Sequence, residues 1–322
     1  MKMNISKKMF MTIIILSLMM AMSSNNVLFT WMAMEVNLIS FIPLMKKSNK
    51  MNEQSMKYLI TQSIASSVMV MALIINSIIN NPVNDSVMMM TGILMKMGMM
   101  PFHLWLPGVM QMLTWTMCMM MVTLQKIIPT IFATQMTNLS LLMTPMLISM
   151  LMSPITATKQ SSMKKILAYS SITNSPMMII AMKISKQQFT LFFIMYSTIN
   201  LMMLNILKKN GINFINQINS QKNMTKLSLL ISSLSMSGMP PTTGFLMKWM
   251  LIKSSMNFSM TIPILMITSS LISSFLYLNM ILPTMTNSIK SKKMNKLNKP
   301  NLSISIMMNI MGIPMMMLTN LN

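Results

Sequence analysis

The chain has 322 residues, 53% of them apolar and only 9% charged, too few charges to solvate a globular surface, where roughly a quarter is usual. Its 25 basic residues are all lysine and face three acids, Glu35, Glu53 and Asp85, for a net charge of +22. This balance does not point to nucleic acid, because the lysines lie between apolar runs of membrane length rather than on one soluble face. The composition is that of an integral membrane protein.

A lone cysteine, Cys118, excludes an internal disulfide and any iron–sulfur cluster or zinc site held by cysteines. The seven glycines never fall into a G-x-G-x-x-G or P-loop spacing, so no known phosphate cradle is present. The methionine-rich faces read as lipid-facing or packing surface and not as a metal relay.

Taken in order, the apolar segments approach the roughly 17–25 residues that a spanning helix needs. The first, Ile5–Met22, follows Lys2, Lys7 and Lys8; a cleaved signal peptide is its alternative, but no small-residue cleavage site stands near Ser23. Then come Val27–Leu44, Met56–Ile79, Ser86 to about Met110, Met112–Thr134 and Leu139–Ile155. Lys164–Met182, Gln188–Leu207, Lys226–Ile252, Ser259–Pro283 and Leu302–Thr319 complete the pattern. The reading is an all-α polytopic protein of about eleven transmembrane helices. Asn210–Asn223 is a polar link, and Lys290–Lys299 a solvated loop facing lipid headgroups. With the N-terminus on one side of the membrane, nineteen lysines fall on that side and Lys183, Lys186 and Lys253 on the other. This bias assigns the N-terminus to the compartment of synthesis and the C-terminus to the opposite side.

Two stretches break their helices. Thr91–Gly108, TGILMKMGMMPFHLWLPG, places Lys96 within an apolar run and follows it with Gly98 and Pro101. Leu234–Leu251 repeats the recipe with Gly238, Pro240, Pro241, Gly244 and then Lys248. A lysine in a bilayer costs at least roughly 2.5 kcal/mol, and irregular backbone persists there only where protein or water satisfies it. One such break in each half of the chain is the sequence pointer to a transporter built on an internal repeat.

Four ionisable groups lie at membrane depth: Glu35, in WMAMEVNLISFIPL, and Lys96, Lys126 and Lys248. Each has a plainer reading. Glu35 could be a neutral hydrogen-bonding acid, and the lysines could snorkel to the interface as lipid-facing anchors of a mere scaffold. Together they suggest a proton path. Desolvation weakens the hold of an amine on its proton and a nearby carboxylate restores it, so a Lys–Glu pair of variable separation is a proton switch. The expected order is Lys96, Lys126, Lys248, with Glu35 as modulator and Pro129 loosening the turn after Lys126. His103, in PFHLW, is the only histidine; it is either a structural hydrogen-bonding group or a further proton carrier.

The phrases WMAMEVNLISFIPL, KMGMMPFHLWLP, KKILAYSSITNSP and LSMSGMPPTTGFLMKWM, in this order, resemble the antiporter-like membrane subunits of respiratory complex I, NADH:ubiquinone oxidoreductase, in their mitochondrial, arthropod form. Fifty-six methionines without an arginine fit the codon usage of many animal mitochondria. The resemblance covers nearly the whole chain. It implies a single membrane domain with two inverted five-helix repeats, approximately 5–134 and 139–283, and a final helix at 302–319. It also maps the family's functional glutamate onto Glu35 and its lysines onto Lys96, Lys126 and Lys248.

By the same resemblance the chain is a non-redox, proton-translocating subunit of the mitochondrial inner membrane, N-terminus in the matrix and C-terminus in the intermembrane space. Quinone reduction elsewhere would drive it. NADH, flavin, iron–sulfur clusters and ubiquinone belong to other subunits, and no cofactor or metal is expected in this chain. Its expected partners are the other membrane subunits, including antiporter-like neighbours, and anionic lipid at the lysine-rich loops, with no nucleic acid. A stand-alone cation/proton antiporter of related fold is the alternative. Three positions depart from the family pattern: Gly108, which removes a rim charge; Asn174, where many members have histidine; and Met247, where proline often precedes Lys-Trp.

Overall fold

In lipid a backbone has no water to bond, so apolar runs of this length satisfy their own peptide groups as helices. The computed structural model follows that rule throughout the residues it describes, 5–45, 49–79, 87–136, 139–221, 223–240 and 242–286. Asp85, the Lys290–Lys299 loop and the span expected at Leu302–Thr319 lie outside them. The chain divides into two units. The first comprises Met1–Ser149 and Asn174–Lys183, the second Met150–Thr173 and Ile184–Asn322.

The first unit holds α1 (Ile5–Ser23), α2 (Val27–Met45), α3 (Asn49–Ile79), α4 (Val87–Met97), α5 (Trp105–Met112), α6 (Trp115–Val122) and α7 (Leu124–Met136). Helix α2 packs against α1, α3 and α7, and α4 lies between α3 and α7. Helices α8 (Leu139–Thr158) and α9 (Met163–Ile184) contribute residues to both units. The second unit adds α10 (Lys186–Asn210), α11 (Asn223–Ser237), α12 (Thr243–Ser255) and α13 (Thr261–Thr286), with α11 and α12 packed against both α10 and α13. Among the described residues, seven stretches are long and apolar enough to cross a membrane unaided, Trp115–Gln135 among them as one run.

The outer faces are apolar, with Leu16, Leu28, Ile39, Leu271 and Phe275 exposed. A soluble monomer does not present such area, whereas lipid tails cover it readily. Serine and threonine populate the interior instead, and most bond a carbonyl one turn back in their own helix, as Ser40 does to Asn37 (2.9 Å) and Ser171 to Ala168 (2.7 Å). Small, internally satisfied side chains let helices approach where no hydrophobic force drives them together.

One expectation is corrected. The distortion expected after Lys126 lies before it, at Thr123, which leaves helical geometry (φ −105, ψ −83) between α6 and α7. Helix α7 runs through Pro129, which has no N–H to offer the Gln125 carbonyl, and the visible departure from helical geometry is six residues earlier. There the Thr123 hydroxyl donates to the Met119 carbonyl at 2.7 Å.

Both expected breaks are present and share one construction. Gly98 and Gly238 take positive φ, 66 and 81 degrees. The following N–H groups, of Met99 and Met239, donate to Leu94 and Leu234 at 3.0 and 3.2 Å, and the glycine N–H groups bond Met95 and Ser235. This is the Schellman pattern, which ends a helix while keeping its last carbonyls partnered. After the second break α12 begins so close to α11 that a Cβ on Gly244 would overlap the Ser235 carbonyl oxygen, whereas one on Gly108 would meet nothing within 4 Å. Gly244→Ala should therefore cost about 3 kcal/mol or more, as overpacking against rigid backbone does, and Gly108→Ala less than about 0.5 kcal/mol. Thermal denaturation of the two variants in detergent measures the difference.

Candidate functional site

In the first unit, Glu35 stands on α2 and Lys96 in the last turn of α4, one residue before its C-terminal Met97. The Lys96 ammonium Nζ donates to Glu35 Oε1 at 3.0 Å; the lysine side chain is 3% exposed and the carboxylate 26%. The carbonyl end of α4 carries partial negative charge that further favours a cation there. Carbonyls near the break also find partners: Met95 accepts from the Trp105 indole at 3.1 Å and Lys96 from the Gln62 amide at 3.4 Å. The break is thus held by neutral donors while the charge is held by a carboxylate.

Lys126 lies near the start of α7 and is 3% exposed. It shares a cavity of about 30 Å³ with Lys96, lined on its polar side also by Asn37, Tyr58, Gln62 and Gln125. A water needs roughly 10–15 Å³ by this measure, so the space admits about two. Across the wall, the Tyr58 hydroxyl donates to Gln125 Oε1 at 3.3 Å, and Gln125 Nε2 donates to Asn37 Oδ1 at 3.0 Å. The Tyr58 ring packs against Phe41 (5.5 Å, edge-on) and Trp105 (5.9 Å).

In the second unit Lys248 follows its break instead of preceding it. It is 6% exposed, and its Nζ turns back to donate to the Ser237 carbonyl at 2.6 Å, at the end of α11. Gly238 makes room for this: a Cβ there would stand 2.8 Å from Lys248 Cδ. The lysine therefore acts as a charged cap on the helix that the break terminates.

All three lysines are buried within the protein. The first unit brings Glu35, Lys96 and Lys126 together, whereas Lys248 stands in the second unit with a backbone partner. His103 sits in the break, half-buried, its Nδ1 3.2 Å from the Pro101 carbonyl, and does not line the cavity. Sequence reasoning passed over Asn37, Tyr58, Gln62 and Gln125. The available signal was an amide or phenol inside an apolar span, two residues after Glu35 in one case and adjacent to Lys126 in another.

A bundle of membrane-length helices with two lysine-bearing breaks defines a polytopic protein of the ion-translocating class. The sequence matches the family described as NADH:quinone oxidoreductase/Mrp antiporter, transmembrane, over residues 24–275, and the chain belongs to that family. It is 34% identical to NADH-ubiquinone oxidoreductase chain 2 of Locusta migratoria, over 91% of both chains, and 33% identical to the chain 2 of Anopheles gambiae, over 96% of both. Its fold is similar to a chain of respiratory complex I from Thermus thermophilus, with a TM-score of 0.81 over 98% of this chain and 80% of that one at 18% identity. A chain of the Mrp complex from Dietzia is less similar, with a TM-score of 0.68 over 86% and 59% at 13% identity.

Removing one partner of a buried ion pair strands the other charge, whereas removing both does not. Glu35→Gln alone should therefore destabilise the protein more than Glu35→Gln combined with Lys96→Met, with a coupling of about 1–3 kcal/mol. A double-variant cycle of thermal unfolding measures it.

Proposed function

We propose that this chain is a proton-translocating, non-redox core membrane subunit of NADH:ubiquinone oxidoreductase in the mitochondrial inner membrane. The observation that carries the reading is buried Lys96 paired with Glu35 at a helix break, beside a cavity that Lys96 and Lys126 both line. Close approach of the carboxylate holds the proton on Lys96, and its withdrawal releases that proton toward Lys126. Lys248 is the corresponding station of the second unit, where the Ser237 carbonyl takes the place of the carboxylate. His103 lies off the cavity and serves as a secondary candidate.

Each proton moved against the potential costs about 2.3 kcal/mol per 100 mV, so the energy comes from quinone reduction in partner subunits. Those subunits carry the NADH, flavin, iron–sulfur and ubiquinone sites. The finer architecture we assign is eleven spans in two inverted five-helix repeats, 5–134 and 139–283, with a last helix at 302–319. The N-terminus faces the matrix and the C-terminus the intermembrane space. Antiporter-like neighbours flank the chain, and anionic lipid meets the lysine-rich loops. The relatives at 33–34% identity bear the oxidoreductase name, which favours this reading over a stand-alone cation/proton antiporter.

In the assembled complex, Lys248→Ala and Glu35→Ala should each lower the number of protons moved per NADH oxidised, measured by proton uptake or release across sealed vesicles. Parent-level pumping in both variants would refute the relay. Ion transport by the chain without its redox partners would favour the antiporter instead.

A further inference from the structure

The chain of hydrogen bonds from Tyr58 through Gln125 to Asn37 is not part of any relay assigned so far, yet it forms the polar wall of the cavity that holds both Lys96 and Lys126. Its chemistry is unusual for a proton path. A carboxamide nitrogen has its lone pair delocalised into the carbonyl and does not take up a proton near neutral pH, so two successive amides do not conduct. Nor do they leave the wall polar by accident. Gln125 is held at both ends, its Oε1 by the Tyr58 hydroxyl and its Nε2 by Asn37, and Tyr58 is itself clamped between Phe41 and Trp105. The brace connects α3, α7 and α2, the helix of Glu35, and Gln62 on α3 extends the polar lining to the end of α4.

We propose that Tyr58, Gln125 and Asn37 form a proton-inert brace that fixes water between Lys96 and Lys126, and that Gln125 is a positioning residue for the transfer between them. The proposal rests on the relay reading above. Transfer then runs only through water in the cavity: the Lys96 ammonium gives a proton to a water oxygen, that water gives one of its protons to the Lys126 amine, and the water is restored. Lys96 ends neutral and Lys126 charged. The brace lends hydrogen-bonding partners to the water without competing for the proton. A group that exchanges its proton near neutral pH in the same place would trap it, whereas a phenol and two carboxamides do not. Gln125 is also next to Lys126 in sequence, so any shift of α7 that moves the receiving amine moves the brace with it.

The test uses the assembled complex with Tyr58→Phe, Gln125→Leu and, for comparison, Lys126→Ala. Tyr58→Phe removes one oxygen and keeps the ring contacts, so it decides the matter if Gln125→Leu fails to assemble. The expected result is that Tyr58→Phe slows coupled pumping roughly tenfold to a hundredfold, as misplaced reacting groups do, and enlarges the solvent isotope effect in D2O. A purely structural role would lower yield and thermal stability without changing the isotope effect. Gln125→Glu, which keeps an acceptor for Tyr58 but adds a charge beside Lys126, should also slow pumping. Parent pumping and a parent isotope effect in Tyr58→Phe, with Lys126→Ala deficient, would overturn the brace and leave the relay standing. Parent pumping in Lys126→Ala would overturn the relay itself and the brace with it.

Discussion

A buried ammonium must find a partner within the protein, and the lysine beside each helix break has one. In the first unit the partner is a carboxylate, at 3.0 Å from Lys96; in the second it is the backbone carbonyl of Ser237, at 2.6 Å from Lys248. The two solutions differ physically. A carboxylate on a separate helix is a full charge whose attraction changes steeply with separation, so modest relative motion of α2 and α4 alters how firmly the proton is held. A carbonyl at a helix end is a fixed dipole carried by the break itself, and it moves only if the break is remodelled. Lys96 is thus placed to respond to helix movement and Lys248 to the integrity of its own turn.

The same constraint explains the interior of the bundle. Most buried hydroxyls are satisfied locally by carbonyls three or four residues back, which keeps them from competing with the ionisable groups. The side chains that bond across helices are fewer and cluster near the charges: Gln62, Tyr58, Gln125 and Asn37 around the first cavity. A similar tie, Thr30 with Gln135 and Gln135 with the Ser24 carbonyl, locks α2 to α7 further along the same helix pair. Helix α2 therefore carries the carboxylate while being fastened to the helix that carries Lys126.

Membership of a family that also includes Mrp antiporter proteins sets the two lysine-bearing breaks in a common context. Fold likeness at 13–18% identity extends to a chain of respiratory complex I and a chain of an Mrp complex. What distinguishes one use of the fold from another therefore has to be sought in the particular groups that face the lysines.

The sequence by itself determined the membrane class, the helical content and both breaks, and it singled out Glu35, Lys96, Lys126 and Lys248 as ionisable groups inside apolar spans. These follow from composition and short spacing: an apolar run cannot hide a lysine, and Gly98 and Gly238, with prolines following, end helices by backbone conformation alone. Only the tertiary structure decided that Lys96 pairs with Glu35, that Lys248 bonds Ser237, and that Tyr58, Gln125 and Asn37 meet across three helices. Such contacts join residues up to 88 positions apart, and no local pattern encodes them, because helices rich in methionine and leucine all round show little preference for which face turns inward. The departure at Thr123 is a further case: Pro129 is plain in the sequence, but the place where the helix leaves its geometry is not.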